Sequence, residues 1–168
     1  MDDVPRPRID RHAALRASHL LRGFTDVGVR ILAEASAQRS VGRDTYAFRA
    51  GEASDALLFI AKGTLQLQPR DGGASLGEVG AGDTLGGLSL MVGGEHLLSA
   101  VASADVELLQ ISKAAFDDLE RTHPRTALKL TLALARDLAE RLREAKGPLR
   151  EFLVWQSSKR ATQPRGPA

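Results

Sequence analysis

Three features of this sequence have side chains or backbone suited to chemistry: a glycine-rich stretch, a serine beside it, and four histidines. Residues 77–87 read GEVGAGDTLGG. Glycine-rich loops hold phosphates because bare backbone N–H groups can approach the anion. The dinucleotide form needs G-x-G-x-x-G between a strand and a long helix. Here the spacing from Gly80 is G-x-G-x-x-x-G, in a setting of short strands, and no long helix follows. A Walker loop needs G-K-S/T, and Lys62-Gly63-Thr64 has the wrong order. His12, His19, His96 and His123 never pair at i, i+4, so no zinc-binding helix is present. Ser89 lacks the G-x-S-x-G context of a hydrolase elbow. With no cysteine there is no thiolate nucleophile, thiolate metal site or disulfide. The expectation is a chain with no catalytic residue and no metal site, and not an enzyme. His96 is mostly neutral at pH 7, with an unperturbed pKa of about 6.5.

The elements that must position these groups fall into three blocks. Residues 1–9 hold Pro5 and Pro7 without periodicity and read as a flexible leader. Residues 10–22 make a short helix, and a second runs over 26–37, capped by Asp26. Its apolar face carries Val27, Val29, Ile31, Leu32 and Ala35. From about 40 to 112 the pattern turns to short strands: TYAFR, ALLFIA, TLQLQ, SLGEV, LLSAVAS and VELLQIS. Glycine corners separate them, which argues a small barrel or roll. Ser112 then caps a helix that faces Phe116 and Leu119 inward. Pro124 opens a long helix over 124–146, stopped by Gly147-Pro148. Its apolar stripe is Leu128, Leu132, Ala135, Leu138 and Leu142, widened by Leu130 and Leu134. Residues 147–168 form a short amphipathic helix with Phe152 and Trp155, then a basic tail. The fold class is α+β, mainly β: a β-roll or jelly roll with N-terminal helices and a long C-terminal helix.

The apolar and charged fractions, 43% and 26%, are those of an ordinary soluble protein. No run reaches the apolar length of a membrane span, and the N-terminus has no secretory signal. The expected location is the cytoplasm. Net charge is only +2, with basic residues clustered only in the tail, so direct DNA binding is not expected.

The stretch Gly82 to Ala102, GDTLGGLSLMVGGEHLLSAVA, resembles the phosphate-binding cassette of the cyclic nucleotide-binding domain family. That pattern runs G-D, then F-G-E-L-A-L-L, a short turn, then P-R-A-A-T-V. Phe48 to Glu52, and Asp55 to Gly63 (DALLFIAKG), resemble the family's strand corner and hairpin. Leu109-Gln110-Ile111, Phe116, Leu119 and His123-Pro124 resemble its last strand and helices. The similarity covers roughly 20–146.

The resemblance implies a site. In members that bind cyclic nucleotides, cassette N–H groups and an Arg meet the phosphate, and a Glu accepts the ribose hydroxyl. Here Gly86, Gly87, Leu88 and Ser89 make the turn, but Gly87 stands in the Glu place and His96 in the Arg place. Leu97 follows where small or hydroxyl residues are usual. Arg141 and Leu142 fall where a bacterial activator of the family has adjacent hydroxyls. Losing two charge-assisted contacts of about 1.5–3 kcal/mol each weakens binding by roughly two to four decades. Weak or absent cAMP and cGMP binding follows, and no obligatory cofactor. Activators of the family carry a helix-turn-helix after the long helix, and the residues after Lys146 are too few for one. The expected function is a stand-alone, non-enzymatic sensor-like or adaptor module. It would dimerise through Leu128, Leu132, Ala135, Leu138 and Leu142 and meet an unknown protein partner through Phe152 and Trp155. The alternative is a genuine receptor for a cyclic nucleotide or another small anion with an atypical pocket.

Overall fold

The computed structural model of the chain describes residues 8–144 and Gly147. The chain divides into two units, Met1–Leu134 and Ala135–Ala168. Helix α1 (Arg11–Arg16) is capped by Asp10, whose carboxylate accepts from the Ala13 N–H. A 3-10 turn, His19–Leu21, follows. In α2 (Asp26–Ala35) the cap is Thr25 and not Asp26: the Thr25 hydroxyl oxygen accepts from the Gly28 N–H. Asp26 instead sits in the first turn, where a negative charge suits the helix dipole. Val27, expected on the apolar face, is 63% exposed, while Val29 and Leu32 are fully buried. Ile9, counted with the leader, packs partly buried against the core. Residues 1–7 lie outside the described residues.

Eight strands follow: β1 (Ala37–Val41), β2 (Tyr46–Phe48), β3 (Ala56–Lys62), β4 (Thr64–Pro69), β5 (Gly77–Gly80), β6 (Thr84–Leu85), β7 (Leu98–Ala102) and β8 (Val106–Ser112). Between β6 and β7 lies the short helix α3 (Gly87–Val92). The strands form two antiparallel sheets, ordered β1-β8-β3-β6 and β2-β7-β4-β5. This is the mainly-β roll that the sequence predicts. Two strands depart from that reading. The sequence predicts a helix running to Ala37, the first residue of β1 (AQRSV); its pairing with β8, Ala37↔Gln110 to Val41↔Val106, makes it a strand. β6 has only two residues and exists through Leu58↔Leu85 and Phe59↔Thr84.

Strands β3 and β8 bury both faces. Leu57, Phe59, Leu109 and Ile111 join Leu15, Leu32, Phe116 and Leu130 in a core beneath the helices. Leu58, Ile60, Val106 and Leu108 point the other way, into a second core with Val41, Leu65 and Ala100. Side chains alternate along a strand, so a strand covered on both sides must be apolar throughout. That is why ALLFI is a continuous run while TLQLQ alternates.

Ser112 caps α4 (Lys113–Thr122) as expected, its hydroxyl oxygen accepting from the Ala115 N–H at 3.1 Å. Helix α5 starts at Pro124 and is described to Glu144. Its apolar residues divide between two edges. Ala127, Leu130 and Leu134 are buried. Leu128, Leu132, Leu138 and Leu142 are 60%, 48%, 41% and 39% exposed, and Ala135 is exposed. Leu130 and Leu134, expected to widen the stripe, are thus core residues. No described helix is long and apolar enough to cross a membrane. Phe152 and Trp155 lie outside the described residues.

Candidate functional site

The cassette begins where β6 ends. Gly86 is the N-cap of α3 with φ 80° and ψ 11°, in the left-handed region. A Cβ there would stand 2.2 Å from the Ala56 carbonyl oxygen at the start of β3. Only glycine permits both the turn and the close approach. Helix α3 is anchored by Leu90, which is fully buried. Ser54 Oγ donates to Ser89 Oγ at 2.5 Å, and Ser54 is 1% exposed. The Ser54 N–H donates to the Gly94 carbonyl at 2.9 Å. The loop between β2 and β3 therefore holds both ends of the cassette helix.

Gly87 opens the first turn. A Cβ there would lie 2.8 Å from Leu134 Cδ2 and 4.0 Å from Leu57 Cδ1. Leu134 is 6% exposed. The space beside Gly87 thus belongs to a side chain of α5. Leu88 on the next position is 51% exposed, and Leu97 is 80% exposed.

His96 is held by its backbone: its N–H donates to the Glu52 carbonyl at 2.9 Å, and its carbonyl accepts from the Gly51 N–H at 2.8 Å. Its ring stacks on Phe48, with centroids 3.9 Å apart and planes 11° apart. Both rings line a cavity of about 180 Å³ with Arg39, Glu52, Asp55 and Gln110. Burial lowers the imidazole pKa from its ordinary 6.5; Glu52 and Asp55 pull it up, and Arg39 adds to the lowering. A neutral ring facing two carboxylates offers no cation to a phosphate. Arg39 is the cation of this cavity, and its Nη2 already donates to the Ala47 carbonyl at 2.5 Å. Among the described residues, no group of histidines and carboxylates could hold a metal ion.

The lowered pKa has a consequence for stability. The unfolded chain takes up this proton at a higher pH than the folded chain does. The contribution of His96 is complete above about pH 6.5 and is lost as pH falls through the folded value. His96→Phe, which keeps a ring over Phe48, should flatten the acid limb of a urea-stability profile. An unchanged limb would show that other groups set it.

The cyclic nucleotide-binding domain pattern matches residues 38–123, which spans both sheets and the cassette. The chain belongs to the cyclic nucleotide-binding domain family. Two solved structures and one curated sequence illustrate the likeness. The N-terminal domain of a transcriptional regulator from Streptomyces coelicolor A3(2) shares the fold, with TM-score 0.69 and 24% identity over 80% of this chain and 98% of that one. The catabolite activator protein of Thermus thermophilus is 31% identical, with TM-score 0.62, over 72% of this chain and 58% of that one. Lysophospholipase nte1 of Aspergillus fumigatus is 30% identical over 106 residues, 60% of this chain. The chain spans only 7% of that relative's length.

Within this cyclic nucleotide-binding fold, Gly86 to Ser89 and His96 belong to one connected region, the cassette and the loop it pairs with. Arg141 lies in the second unit, where its Nε donates to Asp137 Oδ2 at 2.8 Å, one turn back on α5. Four contributors escape sequence reading: Leu134 beside Gly87, Phe48 under His96, and the carboxylates of Glu52 and Asp55. Phe48 was legible as an apolar strand residue. Glu52 and Asp55 were legible as corner and hairpin positions and Leu134 as a helix-stripe leucine, but their place at the site depends on what the fold brings opposite them.

Proposed function

We propose that the chain is a non-enzymatic sensor-like or adaptor module of the cyclic nucleotide-binding superfamily, with weak or no affinity for cAMP and cGMP. Its output is contact with other proteins, beginning with a second copy of itself. The observation that carries this reading is Leu134 against Gly87: the position at which the family presents its ribose acceptor faces a leucine of α5. The neutral His96 beside Glu52 and Asp55 supports it from the phosphate side. Calorimetric titration of a cyclic nucleotide panel tests it. Saturable binding in the micromolar range would replace this reading with that of a receptor with an atypical pocket.

The exposed edge of α5 supports the self-association. Leu128, Leu132, Ala135, Leu138 and Leu142 recur every three or four residues along α5, and their exposure leaves apolar surface to bury. Leu138→Asp is expected to convert a dimer to a monomer by light scattering, with an unchanged circular dichroism spectrum. A wild-type chain that stays monomeric at high concentration would refute the seam.

A further inference from the structure

Two edges of one helix differ in burial in this chain, and the cassette touches the buried one. On α5, Ala127, Leu130 and Leu134 enter the core, while Leu128 and Leu132 face outward. Leu134 is the last of the buried set, and it closes on Gly87 at the first turn of α3. The cassette itself is fixed from below. Leu90 is fully buried in the same core, Ser89 is bonded to Ser54, and Gly86 lies against the Ala56 carbonyl.

From this geometry we infer that Gly87 and Leu134 form a built-in latch. The end of the Leu134 side chain packs where a Cβ at position 87 would stand, and this contact holds residues 124–134 of α5 on the cassette independently of any ligand. The missing Cβ is then a packing requirement as well as a lost acceptor. Because Leu128 and Leu132 lie on the opposite edge of the same turns, the latch also sets how the proposed seam is presented. A cassette that moved would carry α5 with it. A latched cassette keeps Leu128 and Leu132 permanently in one arrangement. This deepens the proposed function, on which it rests for its significance, by making the module's output constitutive.

The chemistry of the pair suggests a swap. Adding bulk at 87 should expel Leu134, and removing bulk at 134 should make room for it. The measurement is hydrogen–deuterium exchange on the full chain, read at residues 125–134, at the cassette, and at β3 and β8 as an internal reference. Gly87→Leu and Leu134→Ala should each speed exchange in residues 125–134 by about tenfold or more, with β3 and β8 unchanged. The double variant Gly87→Leu/Leu134→Ala should return most of the protection. Additive losses in the double variant would overturn the latch, as would unchanged exchange in Gly87→Leu. Should Gly87→Leu fail to fold, Leu134→Ala decides alone. Loss confined to α5 and the cassette supports the latch, and loss spread evenly over the domain overturns it. Calorimetry with cAMP on the same wild-type sample separates the two claims. Micromolar binding defeats the proposed function whatever the exchange cycle shows, and an additive cycle defeats the latch whatever the calorimetry shows.

Discussion

Titration of cAMP into the wild-type chain is expected to show no saturation below the millimolar range, and the double variant Gly87→Glu/His96→Arg is expected not to recover it. The first half follows from the missing partners. An acceptor and a charged donor contribute about 1.5–3 kcal/mol each, so their loss together weakens a site by roughly two to four decades. The second half follows from the surroundings. A side chain at 87 starts 2.8 Å from Leu134 Cδ2, so a glutamate there must shift the end of that leucine before it can reach a ligand. A guanidinium at 96 would enter the cavity lined by Glu52 and Asp55, and these exposed carboxylates would compete with a phosphate for it. Adding Leu134→Ala to the double variant removes the first obstacle and should improve binding over the double variant. Micromolar affinity in the double variant itself would show that Leu134 and the two carboxylates give way freely.

Gly86→Ala is expected to lose about 3 kcal/mol or more of stability in urea unfolding, or roughly 10 °C in Tm. Two costs combine. The residue sits at φ 80°, where a non-glycine residue pays about 1–3 kcal/mol. The new Cβ also meets the Ala56 carbonyl at 2.2 Å. That carbonyl belongs to backbone, in a residue paired with Ser112 of β8, so it cannot swing aside as a side-chain end would. Gly72→Ala is the control. Gly72 has φ 76° but nothing within 4 Å of its Cβ position, so it bears the conformational cost alone. Equal losses at the two positions would show that the contact with Ala56 relaxes without cost.

Much of the architecture was legible from pattern. The unbroken apolar run at 57–60 marked a strand covered on both faces, and the leucines of β3 and β8 do divide between the two cores. Ser112 and Pro124 marked two helix starts correctly, because caps are local chemistry. Asp26 misled for the same reason in reverse. Thr25 and Asp26 are both good caps, and only the backbone turn at Thr25 decides which hydroxyl or carboxylate meets the free N–H. β1 was partly misread because AQRSV has little strand propensity, and β8 pairs with it regardless. The α5 stripe read as one face proved to be two, since a helix rich in leucine does not say which of its leucines face the domain.

The sequence by itself determined the family, the β-roll, the cassette and the residue types at its two altered positions. The β-roll follows from propensity and periodicity, and the family and cassette from the resemblance of an ordered series of motif residues, all of them properties of neighbours in sequence. Tertiary structure alone decided what those positions mean. Leu134 packs against Gly87, and His96 stacks on Phe48 where burial, outweighing Glu52 and Asp55, lowers its pKa. Both outcomes are set by contacts between segments distant in the chain, whose volumes and charges meet only after the two sheets and α5 have closed.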